Sequence, residues 1–368
     1  MTGWCPSLLL NALLESSVVL EEETVRGYRP EHYYPVQIGD LFHDRYRVVG
    51  KLGYGSASTV WLCHDLQKQS AYVALKVYIN SSKKAAGPLR HGHHTCLVHE
   101  AAGMNFEELR ELVPDETFEP DLIRQSVRSI LRGMHFLHSE ARVIHTDIQP
   151  KNILLGTLDD SAFARFERDE REKPLPRKEL PDRTIYISHP MPLTKGPPLL
   201  CDLSEARFAQ AQNTDLIMPD LYRAPEVILG MHWSYSVDLW GFAMSLWDLF
   251  EPKRLFLAKG DDGRYSELHH VAQMVAIMGP PPMEYLQHSE RWRLYWDDQG
   301  RWKGAIEIPD ISLESAEQRL HGEEKVKFLA LMRKMLQWRP EDRSSIQDVY
   351  VDDWLFADLI SSGEVVHD

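Results

Sequence analysis

The stretch His145–Thr146–Asp147–Ile148–Gln149–Pro150–Lys151–Asn152 decides the fold of this chain. It lies between two short apolar runs, so we predict a loop between two strands. The Asp147 carboxylate can accept the proton of a substrate hydroxyl, and Lys151 can neutralise charge on a transferred phosphoryl group. Asn152 offers Mg²⁺ a neutral oxygen ligand. This combination within one short segment indicates a phosphoryl-transfer loop rather than a chance arrangement.

A second segment farther along the chain supplies a companion to this loop. Leu199–Leu200–Cys201–Asp202 is an apolar run that ends in a carboxylate, which we interpret as the second metal ligand. The alternative, that Asp202 only caps a turn, is disfavoured by its neighbours. The segment is closed by Tyr222–Arg223–Ala224–Pro225–Glu226.

Two features before the loop suit a nucleotide. Gly53-x-Gly55 lies between two predicted strands, Tyr46–Leu52 and Thr59–Cys63, which fits a flap that covers phosphates. An ordinary β-turn is the alternative for the glycines. Lys76 lies inside the predicted strand Val73–Ile79, where its charge must be satisfied. It is either a phosphate ligand or a lysine whose stem lies along an edge strand.

Strands come first in this chain and helices follow, which predicts the α+β class with a small β-rich lobe and a larger, mainly helical lobe. A further short strand is predicted at Thr95–His99. Apolar residues at helical spacing predict four helices, at Phe106–Leu112, 122–138, Val237–Phe250 and Lys325–Leu336.

The predicted organisation has four parts. Residues 1–40 form an extension that packs as a strap, and residues 41–102 form the small lobe. Residues 103–356 form the large lobe, with a charged insert at about 159–197 that we expect to be a loop or a partly ordered excursion, and residues 357–368 form a tail.

Composition limits the class of partner. The formal net charge of −14 argues against binding to nucleic-acid backbones and suits a basic protein partner, although solubility alone explains it equally well. The four cysteines form no C-x-x-C pair and no apolar run has the length of a membrane span, so we expect a cytoplasmic or nuclear protein. We also expect a monomer without membrane or direct nucleic-acid contact.

In this order the motifs resemble those of eukaryotic protein kinases over roughly residues 40–356. Finer features are similar to the SR-protein kinase family, with fungal members most alike. Ser58 stands at the third glycine position, followed by Thr59–Val60–Trp61, and Thr146 replaces the usual Arg. The further similar stretches are Tyr33–Tyr34–Pro35–Val36, the insert, Trp233–Ser234–Tyr235–Ser236–Val237–Asp238–Leu239–Trp240 and Gly279–Pro280–Pro281–Pro282.

The resemblance implies a bilobal protein-kinase fold that uses ATP and Mg²⁺ to phosphorylate Ser in Arg/Ser-rich proteins, and with it a role in regulating mRNA splicing. It implies Asp147 as the base, assisted by Lys151, and Asn152 and Asp202 as metal ligands. The implied ATP-binding residues are Leu52, Gly53, Gly55, Val60, Ala74, Lys76, Glu100 and Ala102. It also implies that Arg343 pairs with Glu226 and that Thr146 removes control by a phosphate on the activation segment.

Two departures from the family pattern stand out. Ser204 replaces the glycine of the Asp-Phe-Gly motif, which costs backbone freedom wherever a positive φ is needed. More seriously, only Val77 to His99 separate Lys76 from Glu100, and those 23 residues contain no Asp or Glu. A helix takes about 11 residues before any connection is counted. The helix that supplies the Glu partner of Lys76 is therefore expected to be deleted, which would open a hydrophobic hole beside the sheet.

Three explanations for this deletion stay open. The first is that the gene model omits an exon, and the second is that the protein is a degenerate pseudokinase; we favour these two. The third is that a carboxylate from Glu21–Glu23 substitutes for the missing partner of Lys76. The leading function is accordingly a Ser/Thr kinase, and the rival is a weak nucleotide- or peptide-binding module. A small-molecule kinase is disfavoured by Ala224–Pro225–Glu226 and by the buried helix with Asp238. Glu107, Glu108 and Glu111 either face a basic peptide or are simply solvated.

Overall fold

The structure, a computed structural model, describes residues 13–68, 71–80, 92–209, 212–304 and 306–362. The chain divides into two compact units. The sheet unit comprises residues 1–104 and 155–196, and the helical unit comprises residues 105–154 and 197–368. The predicted α+β class is confirmed, whereas the predicted domain limits stay a prediction.

The elements are numbered in chain order. The strands are β1 Leu41–Phe42, β2 Tyr46–Tyr54, β3 Ser58–Asp65, β4 Ala71–Tyr78, β5 Cys96–Glu100, β6 Val143–Ile144, β7 Ile153–Leu155, β8 Arg177–Glu179, β9 Thr184–Tyr186, β10 Pro198–Leu200 and β11 Arg207–Phe208. The helices are α1 Phe106–Glu111, α2 Pro120–Phe136, α3 Ser161–Glu172, α4 Pro225–Ile228, α5 Ser236–Phe250, α6 Glu267–Met278, α7 Met283–Leu286, α8 Leu313–Ala316, α9 Gly322–Met335, α10 Ile346–Tyr350 and α11 Asp353–Ser362. These bounds confirm the predicted strands and all four predicted helices to within a few residues.

The sheet unit is built on five antiparallel strands in the order β1-β2-β3-β4-β5. Leu75 and Val77 of β4 point to one face of the sheet, where they pack with Val36 of the N-terminal extension and Tyr186 of β9. Both side chains are almost fully buried. The expected hole beside the sheet is therefore wrong at these positions, because the extension and β9 cover the surface.

The connection from β4 to β5 lies partly outside the described residues. Ile79, Asn80 and residues 92–95, which are described, contain no helix, whereas residues 81–91 fall outside the described part of the chain. In the described structure β5 pairs directly with β4, with Leu97 opposite Lys76. All five residues of β5 are exposed, including the apolar Leu97 and Val98.

The insert was predicted as a loop or partly ordered excursion, and that expectation is wrong. It contains the 12-residue helix α3 and the hairpin β8–β9, and it belongs to the sheet unit. Phe163 and Phe166 of α3 are buried against Val49 and Leu62 of the sheet. Gly50 makes room for this contact, since a Cβ there would lie 2.6 Å from the Phe166 ring.

The helical unit is organised around α5, in which every residue from Val237 to Phe250 is buried. The predicted pair of Arg343 and Glu226 is confirmed. Two parallel hydrogen bonds of 2.7 Å join the guanidinium to the carboxylate, and neither side chain is exposed. Among the described residues, no helix is both long and apolar enough to cross a membrane.

Candidate active site

The glycine segment of the sheet unit is the tip of the β2–β3 hairpin. Gly53 pairs with Val60, and the Gly55 amide donates to the Ser58 carbonyl over 2.8 Å. Among the described residues, a Cβ at Gly53 or Gly55 would meet no atom within 4 Å, so these residues leave the space beside the turn open. An open turn between two strands suits the predicted phosphate flap.

The residues predicted to line an adenine pocket share one face of the sheet. Leu52, Val60 and Ala74 belong to one apolar cluster. Lys76 lies directly opposite Val60 in the register of β3 and β4, so its side chain leaves the sheet on that same face. The Lys76 ammonium lies 5.3 Å from the centre of the Tyr78 ring. The sheet unit thus places a half-buried cation at the border of an apolar surface.

The predicted hinge residues end the sheet. Glu100 is the last residue of β5, and its carbonyl contacts the Nδ1 atom of the neighbouring His99 ring at 2.9 Å. Ala102 is buried, and the next residue, Gly103, donates its amide to the Leu155 carbonyl over 2.7 Å. Gly103 could not carry a side chain, because a Cβ would lie 2.2 Å from the Thr194 hydroxyl. The hinge backbone is therefore held by residues of the insert region.

The acidic run at Glu21–Glu23, which we considered as a substitute partner for Lys76, has other partners. Glu22 forms a short hydrogen bond with the Lys51 ammonium, and Glu21 lies 3.4 Å from the same group. Glu23 pairs with Lys178 of β8. The described contacts thus assign these carboxylates to two buried lysines of the sheet unit, so they give the substitution hypothesis no support.

In the helical unit the predicted catalytic residues lie together. The Asn152 side-chain amide donates to the Asp147 carbonyl over 2.8 Å and to its carboxylate over 2.7 Å. Gln149 also donates to that carboxylate, over a short distance. Burial raises the pKa of Asp147, while the bonds from Asn152 and Gln149 and the charge of Lys151 oppose the rise. Asp147 is therefore a rigidly held carboxylate with increased basicity.

Asp238, at the start of α5, holds the backbone of the catalytic loop through hydrogen bonds. Its carboxylate accepts the backbone amides of His145 over 2.7 Å and of Thr146 over 2.8 Å, and it contacts the His138 ring at 2.8 Å. Thr146 has a φ of 67°, an unusual conformation for a residue with a branched side chain. The buried carboxylate compensates for this strain by fixing two consecutive amides.

The two predicted metal ligands follow neighbouring strands. β7 and β10 pair, and the Cys201 amide donates to the Asn152 carbonyl over 2.9 Å, which brings Asp202 beside Asn152. Because Asn152 uses its nitrogen to hold Asp147, its side-chain oxygen is the atom left to face a cation. Among the described residues there is no cluster of three His, Cys, Asp or Glu that could enclose a metal. A Mg²⁺ ion held by few protein oxygens together with substrate phosphates fits this donor set.

The replaced glycine at Ser204 causes no strain in this conformation. The positive φ of the segment, 65°, falls on Asp202, and Ser204 is not among the residues with positive φ. Ser204 instead lies in a short 3₁₀ turn and donates its amide to the Asp202 side chain over 3.4 Å. The Thr146 hydroxyl donates to the Glu205 carbonyl over 2.8 Å and so holds the end of this turn.

Two cavities of the helical unit meet at the catalytic loop. One, of about 290 Å³, is lined by Asp147, Lys151 and Arg223, and the other, of about 240 Å³, by Lys151, Glu107 and Asp220. Gln149 also borders both. A groove next to a candidate base is where a peptide hydroxyl would have to enter.

The sequence analysis missed three residues that shape the site: Gln149, His138 and Glu205. Gln149 belongs to the quoted motif, but the sequence does not indicate a role for its side-chain amide. Only the structure shows that this amide donates to the Asp147 carboxylate. Asp238 was noted in the stretch Trp233–Trp240 and in a buried helix, but not as a support of the loop, although a carboxylate in an apolar run already indicates a buried partner. His138 and Glu205 carry no signal in the sequence alone, since their contacts span 100 and 59 positions.

Comparisons with known proteins agree with this geometry. The protein kinase domain model matches residues 84–355. A serine/threonine protein kinase of Aspergillus fumigatus is 39% identical over 94% of this chain and 93% of its own length. The serine/threonine-protein kinase SRPK of Physarum polycephalum is 27% identical over 89% of this chain and 90% of its own length. The crystal structure of the PF14_0431 kinase domain covers 88% of this chain and 99% of its own with a TM-score of 0.66; at 21% identity it is similar in fold.

Proposed function

This chain belongs to the protein kinase family, among its serine/threonine members, and we propose that it phosphorylates serine in Arg/Ser-rich proteins with ATP and Mg²⁺. One observation carries the proposal: the Asp147 carboxylate is fixed by Asn152 and Gln149 on a loop whose backbone Asp238 anchors. A carboxylate fixed in this way is suited to the base of a phosphoryl-transfer site.

In the proposed reaction Asp147 accepts the proton of the substrate serine hydroxyl. The serine oxygen forms a bond to the γ-phosphorus as the bond from that phosphorus to the bridging oxygen of ADP breaks. Lys151, which is exposed beside Asp147, offsets the negative charge on the phosphoryl group while it is transferred. Leu52, Val60 and Ala74 would contact the adenine, and backbone groups of Glu100 and Ala102 would bind its edge. Gly53, Gly55 and Lys76 would hold the phosphates, with Mg²⁺ on Asn152 and Asp202 supplying charge neutralisation when bound.

The preference for basic protein substrates is supported by charge. The chain has 55 acidic and 41 basic residues. The relationship to the SRPK of Physarum polycephalum points the same way. On this basis we propose action as a monomer in the cytoplasm or nucleus on splicing factors rich in Arg and Ser, without direct binding of nucleic acid or membrane.

The test is transfer of the γ-phosphate of radiolabelled ATP to an Arg/Ser repeat peptide. We expect transfer by the wild type, a loss of at least about 100-fold in Asp147→Ala, and weak transfer to a peptide in which Ala replaces Arg. Equal transfer to both peptides would remove the substrate preference and leave the kinase activity in place.

A second function, a weakly active binding module, is favoured by one observation. Residues 77–99, where ordinary kinases carry the helix that supplies an acidic partner for the strand lysine, contain no Asp or Glu. If wild type and Asp147→Ala are equally inert but both bind nucleotide, this alternative replaces the kinase.

A further inference from the structure

The strap, by which we mean the described residues 13–36 of the N-terminal extension, contacts the glycine turn through the side chain of Tyr33. The Tyr33 hydroxyl donates a hydrogen bond of 3.2 Å to the Gly55 carbonyl. Tyr33 is buried and its ring lies 5.0 Å from that of Tyr28. Burial, and then the charge of Glu22, raises the pKa of the Tyr33 phenol, so the hydroxyl keeps the proton that it donates.

Among the described residues, two backbone hydrogen bonds also hold the turn. The Gly55 amide donates to Ser58, and the Ala57 carbonyl accepts from Ile79 over 2.9 Å. In the described part of the chain, the Tyr33 side chain reaches this turn from outside the sheet and binds its backbone at the Gly55 carbonyl. Such a contact limits the positions that the tip of the hairpin can take.

The base of the same hairpin is fixed by a buried ion pair with the strap. Lys51 stands two positions before Gly53, is 1% exposed, and pairs with Glu22. Its ammonium also donates to the Tyr186 carbonyl over 3.0 Å. A buried ammonium without its carboxylate is strongly unfavourable, so the hairpin and the strap are held as one body.

We propose that Tyr33 and Glu22 are positioning residues of the nucleotide site, which fix the glycine turn in the conformation that receives the phosphates of ATP. This inference rests on the proposed function, because it takes the turn as the flap over those phosphates. The strap, which lies outside the sheet, thereby provides part of the ordering of the glycine turn. In ordinary kinases the helix that we expect to be deleted here would contribute to that ordering. Preorganising a loop improves affinity because less freedom is lost on binding.

The first experiment compares Tyr33→Phe with Tyr28→Phe. Both changes remove one phenolic hydroxyl from the strap, but only Tyr33 reaches the turn; Tyr28 interacts with Arg183 instead. Loss of one hydrogen bond is expected to raise KM for ATP roughly 3- to 10-fold in Tyr33→Phe, with kcat at saturating ATP and KM for peptide unchanged. Tyr28→Phe should keep the wild-type KM for ATP. An unchanged KM in Tyr33→Phe, or an equal rise in both variants, would overturn the inference.

The second experiment measures equilibrium binding of a fluorescent ATP analogue to the same proteins and to Glu22→Gln. We expect weaker binding by Tyr33→Phe and Glu22→Gln, at matched melting temperatures for the Tyr variants. If the wild type transfers no phosphate but Tyr33→Phe still weakens binding, the proposed kinase activity fails and the positioning role stands. If transfer is intact and all variants bind equally, the positioning role fails alone. Absence of any binding by the wild type would overturn both.

Discussion

The helical unit and the sheet unit support their functional residues in different ways. In the helical unit the catalytic loop is held by Asp238, and the segment after it by Arg343 and Glu226, all of which belong to recognisable motifs. In the sheet unit the glycine hairpin and the apolar face with Leu52, Val60 and Ala74 are held by the strap and by α3, which carry no catalytic motif. The catalytic motifs therefore indicate where the candidate catalytic residues lie, and they do not indicate what keeps the strands of the sheet unit in place.

The largest expected effect tests the helical unit. Glu226→Ala leaves the Arg343 guanidinium buried without its carboxylate, which should lower the free energy of unfolding by about 3–5 kcal/mol. Denaturation monitored by tryptophan fluorescence measures the change. Glu284→Ala is the matched control, because the pair of Glu284 with Arg339 is largely exposed and should contribute less than about 1 kcal/mol. Equal losses in the two variants would contradict the view that the buried pair anchors this unit.

The next effect tests whether the insert is a structural part of the sheet unit. Phe163→Ala removes a fully buried ring from the surface that α3 shares with the sheet, so we expect a loss of about 3 kcal/mol. Hydrogen exchange of the β3 and β4 amides should become faster. Leu158→Ala, at a position just before the insert that is 74% exposed, should change little. If Phe163→Ala leaves exchange in β3 and β4 unchanged, the insert is dispensable for the sheet.

A smaller effect concerns the pH dependence of the helical unit. Burial, and then the charge of Glu317, raises the pKa of Glu251 from 4.5 to about 7. Because this pKa is raised in the folded state, its contribution to stability is present below about pH 4.5 and is lost as the pH rises through 7. Relative to Glu251→Gln, the wild type should lose on the order of 2 kcal/mol of unfolding free energy between pH 5 and pH 8. Parallel pH profiles for the two proteins would show that Glu251 does not titrate in this range.

The smallest expected effect is that of phosphatase treatment, which should not change the rate of phosphoryl transfer. Thr146 is buried and uncharged, and its hydroxyl holds the Glu205 carbonyl directly, so no cation stands at this position to bind a phosphate. Phosphatase treatment should therefore leave phosphoryl transfer to an Arg/Ser peptide unchanged. A large loss after treatment would mean that a phosphate elsewhere orders the segment.

Sequence reasoning predicted the helical unit more completely than the sheet unit. The helix at Val237–Phe250 is apolar on nearly all sides and could only be buried, and the loop around Asp147 follows a motif with fixed spacing. Such features depend on neighbours a few positions away. They are therefore legible in the sequence without knowledge of the tertiary fold.

The support of the sheet depends on contacts between residues that lie from 22 to 135 positions apart. In the sequence Lys51 resembles any lysine of a strand. Only the structure shows that its ammonium binds Glu22, 29 positions away, and the Tyr186 carbonyl, 135 positions away. α3 was missed because its exposed side is a dense run of charges that conceals the two phenylalanines on the buried side. Tertiary burial decided both cases, and local periodicity could not reveal it.

The contact between the strap and the glycine hairpin also determines where this gene can be cut for expression. A clone that begins at residue 84, where the kinase domain model starts to match, lacks the β2–β3 hairpin altogether. One that begins at residue 40, just before β1, keeps all the described strands but loses Glu22 and Tyr33, and so leaves the Lys51 ammonium buried beside no carboxylate from the strap. A truncation chosen by motif boundaries would thus leave a buried lysine without its carboxylate, and poor solubility of the product would result from the truncation itself.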